Sequence, residues 1–418
     1  MLPLKHAPTV TIVTPSFNQA AFLPATLASV AGQTYPHIEH LVRDGGSTDA
    51  SVAILAATPL SSRRFTWRSE RDGGQAAAIN RAIGESTGQI IGWLNSDDLL
   101  TPKAVERAVA HFRSHPDHLM VYGQARWIDA KGCPVDCYPT RRPGPVERFR
   151  DGCFICQPTV FLRREAIARV GLLDASLFAA HDFDLWIRLF MAAPDRIGFI
   201  DVEQAQSRVH PMTKTASAWD RAAIEAMRVL HRHFGAAPPH WVLSAITECF
   251  DRHAADAEFD GRAWALRFLR KAFPLLDHGG VAEVKRHART DRRLAVAGPG
   301  VMAVAITADG WGGRRTAVHL RPNGHGILVV QGRHAHPAGA RECLSALHGP
   351  SLLSTLHLDG NEAFTWRIPL PCVPGGRSLE RVDLVAGHTF TPALVEAGST
   401  DRRELSVLID KVYRAPGP

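Results

Sequence analysis

Along the first hundred residues short apolar runs alternate with amphipathic stretches. The β-branched run 9–14 (TVTIVT) stops at the turn Pro15-Ser16-Phe17-Asn18. A helix is predicted over 21–31, with Leu23, Leu27 and Val30 on one face and Pro24 in its first turn. Strand 38–42 ends at Arg43-Asp44-Gly45-Gly46-Ser47, and Asp49 is placed to cap a helix over 51–57. Strand 65–69 runs into Glu70-Arg71-Asp72-Gly73-Gly74-Gln75, a helix follows over 76–84, and 90–94 reads as a fourth strand. This repeat predicts a mostly parallel sheet with helices on both faces. Each strand ends in a polar or glycine-rich turn, the edge at which open α/β sheets bind ligands.

Beyond residue 100 the pattern is mixed. A helix is expected over 102–112, strands over 119–128 and 159–162, a Pro/Gly/Arg-rich loop over 129–151, and helices over 164–170 and 183–191. Residues 217–293 read as helical and basic. Arg262, Arg267, Arg270 and Lys271 share a segment with Trp264, Phe268, Leu269 and Phe273, which suits either a helix packing its aromatic face on a core or one resting on anionic lipid. From 294 the texture changes to eight short β-type runs, at 294–297, 303–307, 316–320, 326–331, 354–358, 364–368, 381–385 and 405–409, which predict a β-sandwich. Three regions are expected: 1–220, a helical linker 221–293, and 294–418.

With 418 residues the chain exceeds one ordinary core, and 45% hydrophobic against 21% charged residues makes it a folded protein. No apolar run approaches a membrane span and no cleavable leader pattern opens the chain, so a cytoplasmic setting is expected, with peripheral contact on the inner face of a membrane compatible with it. Seven cysteines without a framework spacing fit a reducing compartment. The net charge of +7 favours anionic partners. Without a basic-aromatic ladder or finger spacing, nucleic acid is not expected among them.

The apolar run 89–94 stops abruptly at Asn95-Ser96-Asp97-Asp98. Two carboxylates at a buried strand's end are hard oxygen ligands for Mg²⁺ or Mn²⁺, and such an ion suits a diphosphate. The same acids could instead cap the helix that Pro102 begins.

Five segments, in order, carry a resemblance to the inverting GT-A glycosyltransferases of family 2: VTIVTPSFNQAAFLPATLASVAGQTYPHIEHLVRDGGSTDAS, SERDGGQAAAINRAIGESTGQIIGWLNSDD, CQPTVFLRREAI, HDFDLWIRL and RVHPMTKT. The resemblance implies a GT-A, Rossmann-like N-terminal domain, followed here by a helical linker and a β-sandwich domain. It implies a nucleoside-diphosphate-sugar donor, gripped by Pro15, Ser16, Phe17, Asn18, Asp44, Asp72, Gln75, Asn95, Ser96, Asp97 and Arg208. A second acid common after Asp44 is Gly45 here, which leaves a UDP-, GDP- or TDP-sugar open. The divalent ion, Mn²⁺ or Mg²⁺, is expected on Asp97, Asp98 and His210. The first acid of the usual Asp-x-Asp is Asn95. Asp182 matches the catalytic base, with Gln157, His181 and Trp186 on the acceptor side. Asn80 is expected to buttress the 72–75 loop, and Asp184 to be structural.

The expected activity moves one sugar to a saccharide or lipid-linked acceptor in surface-glycan assembly, one addition at a time. Two rivals are weighed. A nucleotidyltransferase needs a glycine-rich basic loop after the first strand, which 14–18 lacks. A catalytically impaired, glycan-binding scaffold of the same fold draws on Asn95 and Gly45. Cys133-x₃-Cys137 and Cys153-x₂-Cys156 offer a zinc alternative. The C-terminal phrases 389–392 and 399–406 resemble a β-rich module attached to some bacterial glycosyltransferases.

Overall fold

The structure, a computed structural model, describes residues 7–59, 64–253, 261–290, 301–304, 311–320, 326–334, 341–348, 350–360, 362–370, 381–387 and 407–415. It divides into two compact units, 1–237 and 238–418.

In the first unit β1 (Val10–Ser16), α1 (Leu23–Ala31), β2 (Ile38–Asp44), α2 (Ser51–Ala57), β3 (Arg64–Ser69), α3 (Gln75–Glu85) and β4 (Ile90–Trp93) follow the expected alternation. Next come β5 (Leu99–Leu100), α4 (Ala104–Ser114), β6 (Met120–Ile128), β7 (Pro134–Cys137), β8 (Phe161–Arg163), α5 (Arg164–Val170), α6 (His181–Ala192), β9 (Ile197–Arg208), α7 (Lys214–Ser217) and α8 (Trp219–Phe234). The strands form one nine-stranded sheet in the order β3-β2-β1-β4-β8-β6-β9-β5, with β7 paired to β6. β1, β2, β3 and β4 are parallel, and so are β6 and β9, whereas β8, β7 and β5 run antiparallel. The sheet is thus the expected Rossmann-like one with antiparallel insertions.

Strand direction decides where the site lies. β8 is antiparallel to both β4 and β6, so β6 and β9 point the same way as β1–β4. The carboxyl ends at Ser16, Asp44, Ser69, Trp93, Ile128 and Arg208, together with the amino end of β8, therefore share one edge. β1 and β2 are buried along their whole length because helices cover both faces. The core below that edge joins Val10, Ile12, Ile90, Leu94 and Phe161 to Val105, Val109 and Phe112 of α4.

The expected helical linker is not a body of its own. α8 belongs to the first unit, where its buried Glu225 accepts the N–H groups of Phe178 (3.0 Å) and Ala179 (2.8 Å), and its Arg232 and His233 reach Asp184. The second unit takes α9 (Pro239–Arg252), α10 (Gly261–Ala272) and α11 (His278–Thr290) with the β region. On α10 Phe268 is buried and stacks on Trp264 at 4.8 Å, while Arg267, Arg270 and Lys271 are exposed, the pattern of a core-packing helix.

The β-sandwich is present. β10 (Val301–Val304), β11 (Arg315–Leu320), β12 (Gly326–His334), β13 (Glu342–His348), β14 (Ser351–Leu358), β15 (Ala363–Leu370), β16 (Arg381–Ala386) and β17 (Val407–Ala415) form antiparallel sheets ordered β10-β11-β16-β13-β14 and β15-β12-β17. Val318, Leu344 and Val382 of one meet Leu328, Trp366 and Ile409 of the other in a shared core. β13 is an added strand; the expected run 294–297 and the phrases 389–392 and 399–406 lie outside the described residues. No helix among the described residues is long and apolar enough to cross a membrane.

Gly88, in the first unit, is fixed by close approach. A Cβ on Gly88 would stand 2.4 Å from Thr11 Oγ1 and 2.6 Å from the Thr11 backbone nitrogen, just where α3 hands over to β4. Gly88→Ala is expected to cost roughly 1–3 kcal/mol of stability, the usual range for overpacking a tight site. A urea-unfolding midpoint equal to wild type would refute that close packing.

Candidate active site

The loops after β1 and β2 are knitted by side chains. Asn18, with φ 51°, accepts the Thr48 N–H (2.8 Å), and its own N–H donates to Ser47 Oγ (2.8 Å). Asp44, 2% exposed, spends its carboxylate locally, accepting from Ser47 N–H (2.8 Å), Ser47 Oγ (2.5 Å), Gly46 N–H (3.2 Å) and Ser69 Oγ (2.7 Å). The expected nucleotide contact of Asp44 is thus replaced by shaping of the loop. An acid at a strand end followed by glycine and serine binds its own turn. Pro15 is buried within β1, Ser16 is 5% exposed, and Phe17 stands out at 59% exposure. Asp49 holds both Ala20 N–H (3.0 Å) and Ser51 N–H (2.9 Å), tying the first loop to α2.

Asp72 sits exposed at the mouth. Its Oδ1 accepts Gly74 N–H (2.8 Å), and a Cβ on Gly45 would lie 3.3 Å from its Oδ2 and 3.4 Å from the Phe17 ring. Phe17, Gly45 and Asp72 thus meet at one point, and a carboxylate at position 45 would press on that of Asp72. Asn80 does not support this loop: its amide staples Leu173 through both backbone groups, at 2.8 and 3.0 Å.

At the end of β4 an amide chain replaces the missing acid. Gln75 Nε2 donates to Asn95 Oδ1 (2.7 Å), Asn95 Nδ2 donates to Gln157 Oε1 (3.1 Å) and Asp98 Oδ2 (3.2 Å), and Gln157 Nε2 donates to the Trp93 carbonyl (2.8 Å). Gln157, expected on the acceptor side, is therefore part of the floor. Ser96 is buried beside this chain in sequence.

The two adjacent acids point to different places. Asp98 is 3% exposed and turned inward, its Oδ1 accepting Arg208 N–H (2.8 Å). Burial first, and then the charge of Asp97, push its carboxyl up to about 8. Asp97 instead faces His210, whose Nε2 lies 3.2 Å from its Oδ2 and whose ring packs 4.5 Å from Phe22. The Asp97 carboxylate offers the hard oxygens that Mn²⁺ or Mg²⁺ takes, with the His210 nitrogen beside it. Among the described residues no three His, Cys, Asp or Glu side chains form a ready-made shell, so Asp98 does not join the other two and the four cysteines do not gather around zinc. Cys133 and Cys137 are exposed, while Cys156 is buried.

Arg208 is spent on backbone. Its guanidinium donates to the carbonyls of Asp97 (2.8 Å), Asp129 (2.8 Å) and Ala130 (3.2 Å), and lies 5.0 Å from the Phe22 ring. It clamps the β4 and β6 loops together and leaves the expected phosphate contact unmet. Lys214 is the cation near the mouth: Nζ donates to Phe178 O (3.2 Å), and burial lowers its pKa while Glu225 and Asp72 oppose that shift.

The α6 start carries His181 and Asp182. Glu225 organises the residues just before it, and no local pattern in the sequence marks that role. Asp182 accepts Phe183 N–H at 2.7 Å, and burial raises its pKa while His181 opposes the shift. Burial likewise keeps His181 neutral. Stacking of Trp186 on Trp93 sets α6 beside the β4 end, and the charges of Asp98 and Asp182 both push the buried Cys156 thiol up. Trp186 is not an acceptor contact. It is fully buried and stacks on Trp93, 5.3 Å away with 13° between the planes, joining α6 to the β4 end. Asp184 is structural as expected, held by Arg188 (2.8 Å) and His233 (2.8 Å).

The split between the acids can be measured. Asp98→Ala strips a buried partner from Arg208 N–H and should cost roughly 1–3 kcal/mol, a drop of several degrees in Tm. Asp97→Ala removes a partly exposed carboxylate whose one side-chain contact is the His210 ring, and should lower Tm by less than Asp98→Ala does. Equal Tm losses in the two variants would contradict the inward and outward assignment.

Residues 11–171 match glycosyl transferase family 2. A PGL/p-HBAD biosynthesis glycosyltransferase of Mycobacterium bovis (strain BCG / Pasteur 1173P2) is 31% identical over 194 residues, covering 44% of this chain and 70% of that protein. The chondroitin synthase of Escherichia coli is 34% identical over 191 residues, 46% of this chain but only 28% of the synthase. Among solved structures, S. aureus TarS 1–349 in complex with UDP-GlcNAc aligns with a TM-score of 0.48 and 15% identity, over 68% of this chain and 85% of that one. On its family match, its relatives and its mixed Rossmann-like sheet, the chain belongs to glycosyl transferase family 2, with the family's GT-A fold in its first unit.

Proposed function

We propose that this glycosyltransferase transfers one sugar, with inversion, from a nucleoside-diphosphate-sugar to a hydroxyl of a saccharide or lipid-linked acceptor in surface-glycan assembly. The observation that carries the reading is the stack of Trp93 on Trp186, which sets the helix bearing Asp182 beside the strand end that leads to Asp97 and His210.

In this reading the nucleoside lies over Phe17, Gly45 and Asp72, and the diphosphate runs toward Asp97 and Lys214. Asp97 and His210 would hold Mn²⁺ or Mg²⁺, which when bound neutralises the charge that develops on the departing diphosphate. Asp182 accepts the acceptor's proton as that oxygen bonds to the anomeric carbon and the bond from that carbon to the diphosphate oxygen breaks. One base and one displacement invert the centre. Burial suits Asp182 to the task, since a carboxylate with a raised pKa is a stronger base. The sign follows directly: the base works deprotonated, so the acid limb of kcat/KM should lie above the ordinary carboxylate range. The M. bovis and E. coli relatives, by their names, build glycoconjugates and chondroitin, which supports the glycan setting.

Asp182→Asn is expected to cut transfer by roughly 10²–10⁴-fold, the usual worth of a general base, with donor affinity within about twofold of wild type. The assay offers UDP-, GDP- and TDP-sugars with Mn²⁺ and follows released nucleoside diphosphate. A variant that keeps most of its turnover rules out Asp182 as base. Wild-type protein that binds glycans but releases nothing from any donor supports the scaffold reading instead. Removing the divalent ion with a chelator should silence the wild type, and restored Mn²⁺ should rescue it but not Asp97→Ala.

A further inference from the structure

Two aromatic rings stand on the cleft wall beside Asp182, and neither the nucleotide nor the proton transfer engages them. β6 and β9 run parallel with Trp127 in register with Ser207, and paired residues of neighbouring strands project to the same face. Ser207 precedes Arg208, whose N–H bonds the Asp98 carboxyl at 2.8 Å, so this end of the paired strands lies beside the acids. Trp127 therefore stands there as well, one residue before the end of β6 and at the edge where the site lies.

Tyr138 follows β7 and donates its backbone N–H to Ala125 O at 3.0 Å. Its ring meets Trp127 edge-on, 5.2 Å between centroids and 62° between planes. The phenol lies over the 153–155 segment, its hydroxyl reaching the Cys153 and Ile155 carbonyls only at 3.4 and 3.5 Å, and Phe154 of that segment packs through Phe149 (4.6 Å) onto Phe183 (5.8 Å), the residue after Asp182. Both rings are half-buried. A partly exposed aromatic pair with polar tips loosely engaged suits a ligand with an apolar face and a rim of hydroxyls. A pyranose has that shape, with axial C–H groups on one face and hydroxyls around the edge. An acyclic polyol has no such face.

We infer that Trp127 and Tyr138 form the acceptor subsite, and that the acceptor residue they hold is a pyranose laid against the rings with one hydroxyl at Asp182. The inference deepens the transferase reading and rests on it. Both residues are positioning residues, since neither touches the proton or the anomeric carbon.

The test compares methyl glucopyranosides, galactopyranosides and mannopyranosides with ribitol and glycerol as acceptors, for wild type, Trp127→Ala, Tyr138→Ala and the ring-keeping Tyr138→Phe. The donor is whichever nucleotide sugar is consumed, and its slow hydrolysis by water is followed in parallel. At least one pyranoside should exceed both polyols by tenfold or more in kcat/KM. Trp127→Ala and Tyr138→Ala should raise the KM for that pyranoside by tenfold or more, while donor hydrolysis and donor KM hold within twofold and Tyr138→Phe stays close to wild type. Polyols equal to every pyranoside, or variants that lose donor hydrolysis as fully as transfer, overturn the subsite. So does a wild type that hydrolyses donor but is accelerated by no pyranoside. If no donor is consumed at all, the transferase reading fails. The subsite is then judged by saturation-transfer NMR of the same pyranosides: signal lost in both alanine variants supports it, and no signal with wild type overturns it.

Discussion

The hydrogen bond from Arg208 N–H to the inward carboxyl of Asp98 is the point on which the site depends. It spans 110 positions of sequence and fixes the end of β9 to the loop after β4. From that anchor the Arg208 guanidinium reaches back to Asp97, Asp129 and Ala130, and His210, two residues on, is delivered to Asp97. Burial and the charge of Asp97 push the Asp98 carboxyl up to about 8, the direction that lessens the charge buried beside Asp97. Two acids adjacent in sequence thus divide, one holding the frame and one facing His210.

The same economy runs through the floor. Gln75, Asn95 and Gln157 satisfy one another, so the substitution that removes an acid at position 95 leaves no buried amide wanting there. The stacked indoles of Trp93 and Trp186 then tie this floor to the helix that bears Asp182. Ser16 Oγ, His181 Nδ1 and both indole N–H groups are buried without a protein partner among the described residues. Unmatched polar atoms are expensive in a core, and these four stand with Arg43 Nε and Thr140 Oγ1 as the buried side-chain atoms left so among the described residues.

Much of the first unit was legible because its strands are apolar and bounded by turns. The runs at 9–14, 38–42 and 90–94 could hardly be anything but buried strands, and their order implied the ligand-binding edge. β9 was not legible: its burial alternates irregularly and it carries Asp201, Glu203 and Gln206, so no period of two stands out. β7 was missed for a related reason, being exposed along its length in a stretch rich in proline and glycine. α8 was read as linker because nothing local shows that Glu225 binds the backbone before α6.

For this protein the sequence by itself determined which residues could do the chemistry and which strand ends would carry them, because residue type and turn chemistry are local properties. Only the tertiary structure decided their roles. It turned Asp98 inward and Asp97 outward, spent Arg208 on carbonyls, buried Trp186 under the floor, and brought Trp127 and Tyr138 to the wall. Those outcomes depend on strand register and on which partners burial leaves within reach, and both are set by residues a hundred positions apart.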